Sequence, residues 1–321
     1  MIRNIFFGLL AIVVIAAAGL GAMIWREAQG VDPATLEAQY MTPADRYINV
    51  GGARVRVREE GPANAPVMIL LHGFIYSLET WDAWAASFSE DYRVIRFDLA
   101  GHGLTGPDPQ ERYAPEERAA FIGDVMDAID VERAIVAGNS LGGLAAWRFA
   151  AAAPDRVSAL ILLAPGAYPT NGVSDTPAEV PAAMKLFLRT APEAGAVATL
   201  ESVFADDAYA TPERAQRLRD LMRRRGNGEA LVKSIEEFTL PDPSADLARI
   251  TAPTLILWGA EDAVLPASDG ERLAAAIPNA RLIVYDGVGH VPQEEAAARS
   301  AADARAFLDS LVAPASAGGA E

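Results

Sequence analysis

The stretch Ala134-Ile135-Val136-Ala137-Gly138-Asn139-Ser140-Leu141-Gly142-Gly143 sets the reading of the whole chain. Its first four residues form the short apolar run of a buried strand. From Leu141 to Ala152 the pattern becomes helical. Between the two lies a G-x-S-x-G pentapeptide, Gly138 to Gly142, placed on a sharp strand-to-helix turn. Such a turn exposes the serine oxygen, and its glycines let two backbones approach closely. The amino terminus of the following helix adds positive potential where an oxyanion would form. Ser140 is therefore the candidate nucleophile.

Working outward, further nearly continuous apolar runs predict parallel strands buried on both faces. They are Val67–Leu71, Arg93–Phe97, Ala159–Ala164, Thr254–Trp258 and Arg281–Tyr285. Helical patterns separate them at Trp81–Phe88, Pro115–Ile129, Asp269–Ile277 and Ala296–Leu311. This alternation implies an α/β fold, a mostly parallel sheet with helices on both faces. Ahead of it, Tyr47–Val50 and Ala53–Glu59 flank Gly51-Gly52, a hairpin signal. In Arg54-Val55-Arg56-Val57-Arg58 the alternation predicts a half-buried strand, valines inward and arginines outward. No strand-like run occurs between Ala164 and Thr254, where helical stretches are punctuated by prolines. That interval predicts a helical insertion.

A serine hydroxyl needs a base at neutral pH. The chain has three histidines, His72, His102 and His290. His290, in Gly287-Val288-Gly289-His290, follows a strand and would reach the carboxyl edge of the sheet, so it is the candidate base. His72 and His102 read as hydrogen-bonded structural residues. The imidazole in turn needs an acid to fix its tautomer. Asp262, in Trp258-Gly259-Ala260-Glu261-Asp262, follows a strand and completes the order Ser140, Asp262, His290. Asp98 and Asp286 are the rival carboxylates. Oxyanion stabilisation needs two backbone donors, for which the N–H groups of Phe74 and Leu141 are the candidates.

The composition excludes several other classes. With 321 residues, 51% of them hydrophobic and 22% charged, the chain can bury a large core. A formal net charge of −16 repels phosphate backbones, so no nucleic-acid partner is expected. The absence of cysteine removes disulfides, thiolate metal sites and a cysteine nucleophile. Arg214, Arg217, Arg219, Arg223, Arg224 and Arg225 crowd one segment of this acidic chain. They read as a solvated helical face, or as a face that leans on anionic head groups or steers a carboxylate-bearing substrate towards the cap entrance.

From Ile5 to Trp25 the chain carries no charge. As a helix this run would span about 30 Å, the thickness of a bilayer's hydrocarbon core. The run is longer than a signal peptide needs, so residues 1–29 are expected to be an uncleaved membrane anchor. The alternative is a cleaved signal, using Ala16-Ala17-Ala18, and a secreted product. Arg3 and the amino group precede the span and Arg26 alone closely follows it, which places the catalytic domain on the exported side.

Taken together, His72-Gly73-Phe74, Asp98–Gly103, Gly138–Gly143, Trp258–Asp262 and Gly289-His290 resemble the α/β-hydrolase superfamily over about Tyr47–Leu311. The resemblance implies an eight-stranded, mostly parallel sheet, and neither a metal nor an organic cofactor. With the uncharged run read as an anchor at 1–29, the polar stretch after it as a tether at 30–46 and the small polar end of the chain as a tail, the first core part spans 47–165. A helical cap at 166–246, a second core part at 247–312 and a disordered tail at 313–321 follow. Serine at position 140 argues against the haloalkane dehalogenase and epoxide hydrolase branches, which use aspartate there. Membrane-anchored monoacylglycerol lipases are similar in combining a span, this triad and a cap. Carbon–carbon hydrolases of aromatic degradation are similar in Gly138–Gly143 but usually carry tryptophan or cysteine where Val291 stands. Cofactor-free haloperoxidases share the triad. The leading expectation is a membrane-anchored serine hydrolase of carboxylic esters of acylglycerol type. Its partners would be a small ester substrate and the lipid bilayer. The alternative is C–C hydrolysis of a vinylogous keto acid, and beyond it a haloperoxidase or a non-catalytic binding protein.

Overall fold

The computed structural model describes residues 21–22, 26–170 and 172–312. Its strands are β1 (Asp45–Val50), β2 (Ala53–Glu60), β3 (Val67–Leu71), β4 (Arg93–Phe97), β5 (Ala134–Asn139), β6 (Val157–Leu163), β7 (Thr254–Gly259) and β8 (Ala280–Tyr285). They form one sheet in the order β1-β2-β4-β3-β5-β6-β7-β8. The β1–β2 and β2–β4 pairs are antiparallel and the remaining pairs are parallel. Gly51 and Gly52 close the β1–β2 hairpin at φ 59° and 89°, a left-handed pair that a two-residue turn of this hand requires.

The inner parallel strands bury both faces, whereas β8, expected to do the same, is an edge strand whose Arg281 and Val284 are exposed because no further strand or helix covers that side fully. In β3, Ile69 and Leu71 enter the core on one side, while Met68 and Leu70 enter the core on the other. Helices α2 (Asp82–Phe88), α3 (Pro115–Ala128), α4 (Leu141–Ala152), α9 (Ser268–Ala276) and α10 (Ala297–Val312) flank the sheet. Among the described residues between β6 and β7 no strand of the sheet forms, and the segment is chiefly helical, with α5 (Ala182–Thr190), α6 (Glu193–Val203), α7 (Pro212–Met222) and α8 (Asn227–Glu236). These make the cap.

Three further expectations are corrected. β2 is not half-buried, because Arg56 and Arg58 are only 0% and 6% exposed. Arg56 meets Asp45, Glu79 and Asp98, and Arg58 meets Asp45. Carboxylates from three separate segments let the arginine face go underground, since a buried charge must be paired. The stretch 30–46 carries structure of its own. Helix α1 (Pro33–Tyr40) packs Leu36 against Leu104 and Leu221, and the Tyr40 hydroxyl donates to Asp220 over 2.7 Å.

The arginine segment is not a free solvated face either. Arg219 and Arg223 pair with Glu27, Arg225 pairs with Asp32, and Arg214 pairs with Glu294. Val31 N donates to Arg223 O and Arg225 N donates to Val31 O, at 2.6 and 2.8 Å. The segment thus fastens residues 27–32 to the cap. The expected anchor lies largely outside the described residues, and the expected tail, 313–321, lies wholly outside them. Among the described residues no helix is long and apolar enough to cross a membrane.

Candidate active site

Loops after β3, β5, β7 and β8 bring Phe74, Ser140, Asp262 and His290 to the carboxyl edge of the sheet, where open α/β sheets place their ligands. Ser140 joins β5 to α4 with φ 54° and ψ −114°, a conformation that non-glycine residues rarely hold. The surrounding backbone enforces it. A Cβ on Gly138 would run into the carbonyl of Gly142, and one on Gly142 into the carbonyls of Leu71 and His72. Ser140 N donates to Leu163 O over 3.1 Å, and Ser140 O accepts from Leu144 N at 2.9 Å. The turn is pinned on both sides.

His290 Nδ1 stands 2.8 Å from Asp262 Oδ2, with both side chains buried. The other Asp262 oxygen accepts the amides of Val264 and Leu265 at 2.8 and 2.9 Å. One carboxylate oxygen is thereby anchored and the other is left for the imidazole. The rivals stand elsewhere. Asp98 accepts from Leu78 N and Leu104 N and meets Arg56, while Asp286 is exposed. Among the described residues no hydrogen bond joins Ser140 Oγ to His290, as is common before substrate tightens such a site.

His72 and His102 are buried in structural roles. His72 Nε2 accepts from Leu99 N at 2.9 Å, and its Nδ1 lies 2.7 Å from Gly73 O. His102 Nδ1 lies 3.0 Å from Ala100 O. Burial pushes both imidazoles below the usual range, His102 furthest, which keeps them neutral.

Ser140, Phe74 and Leu141 line one cavity of about 230 Å³. Among the described residues neither Phe74 N nor Leu141 N donates to a protein group, so both amides remain available to an oxyanion. The rest of the lining is mostly apolar, including Val173, Phe238, Leu240 and Val264, with Thr170 and Ser234 as further polar side chains. Among the described residues no charged side chain lines it. No group of three or more His, Asp or Glu that could hold a metal occurs among the described residues.

Two residues join this site that the motifs alone do not single out. Asn139 Nδ2 donates to Leu163 O and His290 O, both at 3.0 Å, tying the strand under Ser140 to the histidine loop. Glu295 accepts from Gly289 N at 2.6 Å and from the cap amides Ala205 N and Asp206 N at 2.9 and 2.8 Å. Asn139 sits inside the pentapeptide, a polar side chain at the end of an apolar strand, and that oddity is its sequence signal. Glu295 has none.

The assembled groups can support attack by a serine oxygen, proton transfer through an oriented imidazole, and stabilisation of an oxyanion. A family model described as "alpha/beta hydrolase fold" matches residues 66–297. A curated relative is the 2-hydroxy-6-oxononadienedioate/2-hydroxy-6-oxononatrienedioate hydrolase of Cupriavidus pinatubonensis. It is 33% identical over 258 residues, covering 75% of this chain and 86% of that protein. Among solved structures, a membrane phospholipase A is similar with a TM-score of 0.73 and 26% identity, covering 95% of this chain and 99% of that one. The meta-cleavage product hydrolase of Pseudomonas fluorescens IP01, at 24% identity, shares the fold with a TM-score of 0.70, over 83% of this chain and 98% of its own. With the fold, the carboxyl-edge site and these relatives in agreement, the chain belongs to the α/β-hydrolase family and is a hydrolase.

Proposed function

We propose that this chain hydrolyses carboxylic esters through an acyl-enzyme on Ser140. The observation that carries the reading is the cavity at Ser140, apolar, free of charged side chains and bordered by two unused amides. Ser140 Oγ attacks the ester carbonyl while His290 takes its proton, and the amides of Phe74 and Leu141 receive the oxyanion. Collapse of the tetrahedral intermediate breaks the ester C–O bond, and His290 returns the proton to the leaving alcohol. Water then attacks the acyl-enzyme with the same base, releasing the acid and restoring Ser140. Asp262 holds His290 in the tautomer this sequence needs.

A second reading, C–C hydrolysis of a vinylogous keto acid, has the stronger support from the relatives. The relative at 33% identity is named as a hydrolase of 2-hydroxy-6-oxononadienedioate and 2-hydroxy-6-oxononatrienedioate, which are keto acids of this kind. Val291, where these enzymes usually have tryptophan or cysteine, counts against it. The two readings part on one panel: a p-nitrophenyl ester series with monoacylglycerols, run beside a 2-hydroxy-6-oxo dienoic acid. The ester reading predicts Ser140-dependent turnover of medium-chain esters. Turnover of the dienoic acid alone would transfer the assignment to C–C hydrolysis.

The apolar run Ile5–Trp25 supports a membrane anchor with the catalytic domain on the exported side. The likeness to a membrane phospholipase A over 95% of this chain supports it too. Membrane fractionation with protease protection tests this. Recovery of the intact protein in the soluble fraction would contradict it.

A further inference from the structure

We propose that Arg118, acting through Ser234, makes one wall of the cavity at Ser140 a site for a carboxylate carried by the substrate. The proposal rests on the hydrolase reading above and names the substrate class more closely.

Arg118 lies on α3 and is 3% exposed. Its guanidinium donates to Tyr113 O at 2.9 Å, to Ala100 O at 3.1 Å and to Ser234 Oγ at 2.6 Å. All three acceptors are neutral. Among the described residues no carboxylate stands within 4.0 Å of it. The other buried arginines differ. Arg56, Arg58, Arg96 and Arg148 each meet at least one carboxylate. Glu237, Glu117 and Asp108 act on Arg118 only from beyond ion-pair range, and His102, which shares Ala100 O with it, is held neutral by burial. Burial lowers the guanidinium to about 10, so it remains charged at neutral pH.

A buried cation without a counter-charge is costly, and its field is weakly screened. Here that field reaches the cavity across a single hydroxyl, because Ser234 lines the cavity beside Phe74 and Ser140. Ser234 Oγ now donates to Ala230 O, the helical carbonyl one turn back, at 2.8 Å. That bond is easily surrendered, since helical serine back-bonds contribute little. Turned into the cavity, the hydroxyl would donate to a carboxylate while still accepting from Arg118, which polarises it. The carboxylate could come from a vinylogous keto acid or from the half-ester of a dicarboxylic acid.

The test compares kcat/KM for p-nitrophenyl half-esters of succinate through suberate with uncharged p-nitrophenyl esters of matched length. At one chain length at least, the wild-type protein should favour the half-ester by about tenfold or more. Ser234→Ala and Arg118→Met should bring that ratio to one or below, and Arg118→Lys should keep part of it. If Arg118→Met fails to fold, the Ser234→Ala ratio decides. The same variants assayed on a 2-hydroxy-6-oxo dienoic acid separate the two sources of the carboxylate. A wild-type ratio of one or less at every length, with no turnover of the dienoic acid, would overturn the proposal and leave the ester reading intact. So would a preference that Ser234→Ala leaves unchanged. No Ser140-dependent turnover of any substrate would overturn the hydrolase reading and this proposal with it.

Discussion

The main-chain N–H of His290 donates to the carbonyl oxygen of Val203, 2.7 Å away, so the candidate base hangs from the last residue of cap helix α6. Glu295 strengthens the same joint by accepting one amide from the histidine loop and two from the cap. Cap and base are therefore directly joined. A carboxylate holding three amides cannot be replaced by a carboxamide without turning an N–H group towards one of them.

Glu295→Gln should consequently loosen His290 rather than the cavity. Turnover of a p-nitrophenyl ester should fall about 10- to 100-fold, the scale of a misplaced catalytic group, with KM little changed. A rise in KM at constant kcat would show that the joint shapes the cavity instead.

Asp262→Asn should cost on the order of 10⁴ in turnover, by analogy with serine proteases, while leaving the fold intact. The reason is tautomeric: an amide facing Nδ1 no longer selects the imidazole form that can accept the serine proton. Kinetics at saturating ester, beside a thermal melt, check this. Retention of most activity would show that Asp262 does not orient the base.

Much of this was legible along the chain, and the reasons differ by element. The inner parallel strands announce themselves because burial on both faces makes them short apolar runs, as Val67–Leu71 and Thr254–Trp258 are. The hairpin at Gly51-Gly52 and the turn at Ser140 are equally local, so their residues carry their own signal. Burial of Arg56 was not legible. Its alternation with valine is that of an exposed face, and only Asp45, Glu79 and Asp98, which the fold brings together, reverse the sense. Helix α1 was likewise hidden, since Leu36 is its one buried residue and leaves no periodic pattern. The arginines of 214–225 could not be distinguished from a solvated face until Glu27 and Asp32 were seen against them.

The buried Arg56 cluster should make the protein acid-sensitive. Burial opposes ionisation of Asp45, but its bonds from Arg58 and Thr42 and the charge of Arg56 outweigh that and hold its carboxyl well below the usual range. Glu79 is lowered likewise, burial being overcome by Arg56, Ser77 and Arg58. Folded values below the unfolded ones mean that this stabilisation is complete above about pH 5 and is lost as pH falls through the unfolded and then the depressed values. Glu79→Gln should destabilise at neutral pH by less than the ~3–5 kcal/mol of a fully broken buried pair, because Asp45 and Asp98 still face Arg56. It should also flatten the fall in melting temperature between about pH 5 and 3. An unchanged slope would place the acid sensitivity elsewhere.

The pairing of Arg223 with Glu27 and the bridge at Val31 predict that charge reversal in this segment damages the cap. Arg223→Glu should lower stability by about 1 kcal/mol, a modest figure because Glu27 is partly exposed. It should also slow hydrolysis of a soluble ester and of an ester in anionic vesicles to the same extent. A loss confined to vesicles, and shrinking with added salt, would point to head-group contact instead.

The central claim is that Ser140 is a nucleophile activated by His290. Its most direct test is labelling of the purified protein with a serine-reactive fluorophosphonate, read by intact mass and peptide mapping. The account predicts one adduct per chain, on Ser140, absent in Ser140→Ala and strongly slowed in His290→Ala. An adduct that persists in Ser140→Ala, or ester turnover that survives in that variant, would contradict it.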